Sequence, residues 1–218
     1  MIFHDRTTAG KLLAEKLSHL KEKKLVILGL PRGGVPVACE VAQRLNAPLD
    51  VIVVRKLGVP FQSELAMGAV GERGVVIRNE DVIRMANIST DDFDRVRVRE
   101  DEEVTRRATT FRKGHLPLSL KSCLALIIDD GIATGSTALA ACDVARQRGA
   151  EKVIFAVPVG SREAISILTT KADEVICLDI PDNFFAVGQW YEDFSAVRDD
   201  EVIDTLWKVR TSNKTHSK

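Results

Sequence analysis

The 218 residues fit one large domain, or a core with an insertion, and do not demand two independent cores. Apolar residues make up 45% and charged residues 28%, which excludes a disordered chain, a fibrous protein and a disulfide-rich mini-domain. The 31 basic and 31 acidic side chains cancel, so neither duplex DNA nor an anionic membrane is implied as a bulk electrostatic partner. With only 8 Phe, 2 Trp and 1 Tyr, the core must be built from Val, Ile, Leu and Ala. The cysteines, Cys39, Cys123, Cys142 and Cys177, lie far apart among apolar residues and read as reduced core thiols. No apolar run approaches the ~20 residues of a membrane span, and the opening MIFHDRTTAGK has no apolar signal segment. The expected location is the cytoplasm, with no membrane contact.

Short apolar runs alternate with amphipathic stretches along the chain. Strands are predicted at 25–30 (LVILGL), 49–54 (LDVIVV), 123–128 (CLALII), 153–159 (VIFAVPV) and 175–178 (VICL). Near-continuous apolar runs of this length suit strands covered on both faces, hence a mostly parallel sheet. Helices are predicted at 35–45, at 137–148 with Gly149 as the left-handed stop, and at 161–168 behind a Ser cap. The alternation defines a doubly wound α/β fold. Residues 57–76 read as a long loop with a small hairpin. Residues 87–113 mix Asp, Glu and Arg with few apolar residues and read as an exposed, salt-bridged helix. The expected organisation is a single domain over 1–209. Its core covers about 25–56 and 121–180, with an insertion over about 57–120. A hood covers about 180–198 together with the N-terminal segment, and a flexible tail spans 210–218.

Chemistry concentrates in 125–138, ALIIDDGIATGSTA. A buried strand ends in two adjacent carboxylates, Asp129 and Asp130, which can accept hydrogen bonds from a vicinal diol. The loop Gly131, Ala133, Thr134, Gly135, Ser136, Thr137 then leads into a helix. Its backbone N–H groups and three hydroxyls make an anion seat at a helix N-terminus. The segment is built for a sugar carrying a phosphate. A Walker A loop is excluded because no Lys follows Gly135, and the G-x-G-x-x-G fingerprint is absent. A phosphoacceptor carboxylate would leave the hydroxyl loop without a role. Upstream, Pro31-Arg32-Gly33-Gly34 closes the first core strand. Its glycines let backbone approach an anion, Arg32 adds a bidentate donor, and the next helix aims its N-terminus there.

The run IIDDGIATGST resembles the phosphoribosyl pyrophosphate motif of the type I phosphoribosyltransferases, among them the members whose acceptor is unassigned. The resemblance covers the core from about 25 to 56 and 123 to 194. It implies that 31–34 is the pyrophosphate loop, with a cis peptide within it. It also implies that Arg55 and Lys56 are the basic pair facing pyrophosphate, and that 57–76 is the catalytic lid, with Glu64, Glu72 and Arg73 as polar contributors. Residues 180–194 (IPDNFFAVGQWYEDF) are similar to the hood of the 6-oxopurine enzymes. Phe184 or Phe185 would stack on a base there, and Glu192 or Asp193 would be the acid that assists the metal. The lysine with which those enzymes read the purine oxygen has no equivalent within 157–161, which leaves the acceptor open.

The implied activity transfers a 5-phosphoribosyl group to a nitrogenous small-molecule acceptor, a nucleobase in the first instance, with release of pyrophosphate. Asp129 and Asp130 would orient the diol, and Arg32, Lys56 and Mg²⁺ would neutralise the leaving group. The candidate metal ligands are Asp129, Asp130 and Asp193. Two alternatives stand beside it: a non-catalytic sensor of phosphoribosyl pyrophosphate or a nucleotide, and a hydrolase with water as acceptor. Nucleic acid is disfavoured by the zero net charge, although the basic cluster Arg106, Arg107, Arg112 and Lys113 keeps a regulatory RNA contact open. Residues 87–113 match no catalytic element and stand as an inserted helical pair or a dimer surface, so a homodimer remains open.

Overall fold

A computed structural model of the chain describes residues 1–215, without the side chains of Glu64 and residues 212–215. Helix α1 (Arg6–Lys16) precedes β1 (Leu25–Gly29), α2 (Gly34–Leu45) and β2 (Leu49–Val51). Three further strands follow, β3 (Val54–Val59), β4 (Gln62–Gly71) and β5 (Val75–Arg78), then α3 (Glu80–Met85) and α4 (Thr90–Arg112). The second half runs β6 (Leu124–Ile128), α5 (Ser136–Gln147), β7 (Lys152–Val159), α6 (Arg162–Leu168), β8 (Glu174–Asp179) and α7 (Asp199–Thr215).

The predicted core strands form one parallel sheet in the order β2-β1-β6-β7-β8. Because side chains alternate across a strand, one set packs under α1, α2, α4 and α7: Ile27, Leu126, Ile128, Ile154 and Ala156. The other set, Leu28, Ala125, Ile127, Val153 and Phe155, packs under α5 and α6. Both faces are covered, which is why these strands read as unbroken apolar runs. Ser161 caps α6 by accepting from the Ala164 N–H, as its sequence position predicts. Gly149, at φ 92°, follows α5. All four cysteines are free; burial pushes the Cys142 thiol up to about 12 and Cys177 up to about 11.

Three readings need correction. The second strand ends at Val51, and residues 54–78 form a three-stranded antiparallel sheet, β3-β4-β5, rather than a loop with a small hairpin. Register shifts around Gly58 and the glycines of β4 hid its period of two. Residues 87–113 hold α4, which is not simply exposed: Phe93, Val104 and Phe111 bury one face in the core, and Glu100 and Arg112 are buried as well. The charge-rich composition concealed that apolar stripe. The chain also remains helical past Val209, since α7 runs to Thr215; residues 216–218 of the expected tail lie outside the described residues.

A charged network lies at the junction of α4, β2 and α7. The Arg112 guanidinium is 3% exposed and donates to Asp50 Oδ1 (2.8 Å), Glu72 Oε1 (3.0 Å) and the Val51 carbonyl (2.8 Å). Arg210 adds a bond to Asp50, while the Leu118 and Val53 N–H groups donate to Asp50 and Glu72. Glu72 is therefore bound into this network.

Candidate active site

Sheet order alone locates the site. From β1 the chain moves to β2 on one side, while β6, β7 and β8 extend on the other, so the direction switches between β1 and β6. Ligands of open α/β sheets bind outside the strand C-termini at such a point. Gly29 and Ile128 are paired, so the loops at 30–34 and 129–135 leave the sheet side by side. The Leu30 N–H donates to the Ile128 carbonyl at 2.9 Å. A Cβ on Gly33 would lie 1.9 Å from Asp130 Oδ2, and one on Gly34 would lie 2.5 Å from the Ile128 carbonyl oxygen. Only glycine lets the first loop close onto the acidic pair. The Pro31–Arg32 peptide is cis, as the resemblance implies. Arg32 is exposed and reaches Asp199 at the start of α7, 3.7 Å away.

Asp129 and Asp130 are mostly withdrawn from water. Burial raises both carboxyls above the usual carboxylate range, Asp129 furthest, with the neighbouring Asp130 charge adding to the effect on Asp129. The Arg6 guanidinium opposes the rise at Asp130, donating from Nε to Oδ2 at 2.8 Å. The Asp130 N–H donates to Asp129 Oδ1 at 2.9 Å.

The expected anion seat follows. Gly135, at φ 76°, caps α5, whose first residue is Ser136 rather than Thr137. Ala133, Thr134 and Thr137 are exposed and Ser136 is half-buried; the Thr134 and Ser136 hydroxyls lie 3.5 Å apart. The loop is held from below: Ile132 N–H donates to Val159 O, and Ser161 Oγ donates to Ala133 O at 2.7 Å. Ser161 thus anchors this loop as well as capping α6, a tie the sequence does not signal.

The hood, residues 180–198, folds over this end. Val187 lies against Gly131, and the buried Tyr191 donates its hydroxyl to the Asp130 carbonyl at 2.6 Å. The two candidate stacking residues separate. Phe184 is half-buried and stacks on Trp190 at 6.4 Å, within a cluster containing Phe3 and Tyr191. Phe185 is 81% exposed, and its N–H and that of Ala186 donate to Gln189 Oε1.

Arg55 is bound to Glu100 of α4 at 2.8 Å and, with Lys56, lines a cavity of about 610 Å³ between β3 and α4. Glu72 is in the buried network, Arg73 lines a smaller cavity against α4, and the Glu64 side chain lies outside the described residues. The Glu192 carboxylate turns to His4, 2.8 Å away, rather than to the acidic pair. Asp193 accepts from the Ser195 N–H at 2.9 Å and from its hydroxyl, which hold its carboxyl below the usual range.

Among the described residues, no cluster of three or more His, Cys, Asp or Glu side chains is placed to hold a metal ion, so Asp129, Asp130 and Asp193 do not form a cage. The two hard carboxylates of the pair still suit Mg²⁺, which keeps several waters and takes substrate oxygens as its remaining ligands. In the basic cluster, Arg106 and Arg107 are bound to Glu103, Arg112 is buried and Lys113 lies over the Trp207 ring, so these four residues do not form a free basic patch. No helix among the described residues is long and apolar enough to cross a membrane.

Fold and site together define a class: an α/β domain with a hydroxyl-bearing loop at a helix N-terminus, an acidic pair at the sheet's switch point, and a hood. The phosphoribosyl transferase domain model matches residues 6–194, and the chain belongs to that family. It is 54% identical over 205 residues, 94% of its length, to a protein of Mycobacterium tuberculosis H37Rv provisionally named a phosphoribosyl transferase. The match covers 46% of that protein, so the chain spans about half the length of the curated relatives it matches. The crystal structure of TT1426 from Thermus thermophilus is 42% identical with a TM-score of 0.88, over 95% of this chain and 99% of that one. The AQ2163 protein of Aquifex aeolicus, 13% identical with a TM-score of 0.50 over 93% of this chain and 85% of that one, shares the fold alone.

Proposed function

We propose that this domain transfers the 5-phosphoribosyl group of phosphoribosyl pyrophosphate to a nitrogenous small-molecule acceptor, releasing pyrophosphate, in the cytoplasm. The observation that carries the reading is the meeting of three parts at one point. The glycine loop at 33–34 touches the Asp129–Asp130 pair, and the same acidic segment runs on into the hydroxyl loop at the start of α5.

In the reaction the bond from ribose C1 to pyrophosphate oxygen breaks, a bond from C1 to the acceptor nitrogen forms, and the proton of the acceptor N–H is released to water. The transition state has oxocarbenium character, so positioning and fixed charge supply most of the acceleration. Thr134, Ser136, Thr137 and the N–H groups at the start of α5 hold the 5-phosphate. Asp129 and Asp130 hold the two ribose hydroxyls. Within 31–34 the Arg32 and Gly33 N–H groups are the donors for the leaving pyrophosphate, since Pro31 has none and the Gly34 N–H is bound to the Leu30 carbonyl, and the Arg32 side chain lies beside them. Bound Mg²⁺ would neutralise charge on the pyrophosphate, with Asp129 and Asp130 as its nearest protein ligands. Phe185, exposed on the hood, is the surface for a flat acceptor.

A regulatory RNA contact at the basic cluster gains no support, because Arg106 and Arg107 pair with Glu103 and Arg112 is buried against Asp50 and Glu72. The test is a screen of purine and pyrimidine bases with phosphoribosyl pyrophosphate and Mg²⁺, reading pyrophosphate release. Release that depends on one base supports transfer. Release at the same rate without any base indicates hydrolysis, and binding without release indicates a sensor.

A further inference from the structure

Arg6, the first residue of α1, makes three contacts that join two parts of the site, the acidic pair and the hood. Its Nε donates to Asp130 Oδ2 at 2.8 Å, and its Nη1 donates to the Ser195 carbonyl of the hood at 2.8 Å. The guanidinium carbon lies 4.0 Å from the centre of the Phe194 ring. The Arg6 and Asp130 side chains are only 12% and 13% exposed, so solvent screens this pair weakly. The segment before Arg6 is fastened to the hood as well: Phe3 N–H donates to Trp190 O, and the Glu192 and Asp193 N–H groups donate to Phe3 O and His4 O. Tyr191 of the hood grips the Asp130 carbonyl, so the backbone and the carboxylate of Asp130 are held from two directions.

The geometry points to Arg6 as a positioning residue that sets the orientation of the Asp130 carboxylate and locks the hood beside it, making the N-terminal segment part of the ribose site. This inference rests on the reading of the site as one for a phosphoribosyl group. A guanidinium suits the task because its planar fork serves a carboxylate and a carbonyl at once while its face packs on a ring. A lysine ammonium offers no such fork. Of Asp130's two oxygens, Oδ2 is occupied by Arg6, which directs Oδ1 to the ribose hydroxyls.

The test compares the full-length wild type with Arg6→Met, Arg6→Lys, Asp130→Asn and the Arg6→Met/Asp130→Asn double variant. Calorimetry with Mg²⁺ gives the dissociation constants of phosphoribosyl pyrophosphate and of inorganic pyrophosphate, which lacks the ribose. Arg6→Met should weaken phosphoribosyl pyrophosphate tenfold or more and inorganic pyrophosphate less than twofold. Arg6→Lys should fall between Arg6→Met and wild type. In the Asp130→Asn background the same Arg6→Met change should cost less than twofold, because the carboxylate it orients is gone. If Arg6→Met does not fold, Arg6→Lys decides: weakened phosphoribosyl pyrophosphate with unchanged pyrophosphate supports the role, and wild-type affinity for both overturns it. Wild-type affinity in Arg6→Met, or an undiminished loss in the Asp130→Asn background, also overturns it. A wild type that binds no phosphoribosyl pyrophosphate overturns the site reading, and this inference with it.

Discussion

Phe184 and Phe185 are adjacent in sequence and opposite in setting. Phe184 stacks on Trp190 inside the hood cluster, whereas Phe185 stands 81% exposed. Phe184→Leu should lower Tm with little selective effect on the acceptor, since it removes packing. Phe185→Leu should leave Tm unchanged and raise acceptor KM tenfold or more, because base–aromatic stacking contributes ~1–3 kcal/mol. The reverse pattern would move the acceptor to another surface. At Asp129 the consequence is a pH dependence. Its carboxyl is raised by burial and by the Asp130 charge, so the folded protein holds a proton that the unfolded chain releases from pH 3.8 upward. Stability contributed by this proton is present below that pH and is lost as pH rises through the folded value. Asp129→Asn should therefore be more stable than wild type at pH 8, with the difference vanishing near pH 3. Thermal unfolding across that range checks it, and a variant less stable at pH 8 would contradict the sign.

Among the elements, α4 and the small antiparallel sheet separate what the sequence made legible from what it did not. The five strands of the parallel sheet and α2, α5 and α6 were readable because both-face burial leaves continuous β-branched runs and one-face burial leaves a period of 3.6. The small sheet was not, since its glycines break the pattern. Nor was the inner face of α4, where Arg112 counts as surface charge by composition yet is 3% exposed. Arg112→Met should cost about 3–5 kcal/mol, because it leaves Asp50 and Glu72 buried with only Arg210 and Arg148 near them. Arg107→Ala, which loses a solvent-screened pair with Glu103, should leave stability almost unchanged. Denaturant unfolding of both variants measures the contrast, and equal small losses would return α4 to a solvated helix.

For the molecule as a whole, strand order brings the loops after β1 and β6 together, and the short motifs on those loops were visible in sequence because their chemistry is local. The N-terminal segment was expected to join the hood, but its contact with the acidic pair was not visible. Arg6 and Asp130 are 124 positions apart, and a lone Arg near a cap residue carries no sequence signal for such a contact. The central claim is that the acidic pair and the loop at the start of α5 together bind a phosphorylated ribose. The most direct measurement is calorimetric titration of wild type, Thr134→Ala and Ser136→Ala with phosphoribosyl pyrophosphate and with free ribose. The account predicts that wild type binds phosphoribosyl pyrophosphate and that each variant loses ~1–2 kcal/mol of that affinity, the loss of a hydrogen bond to a charged group. Free ribose should bind wild type and variants alike; equal losses for both ligands, or no loss for either, would contradict a phosphate seat at this loop.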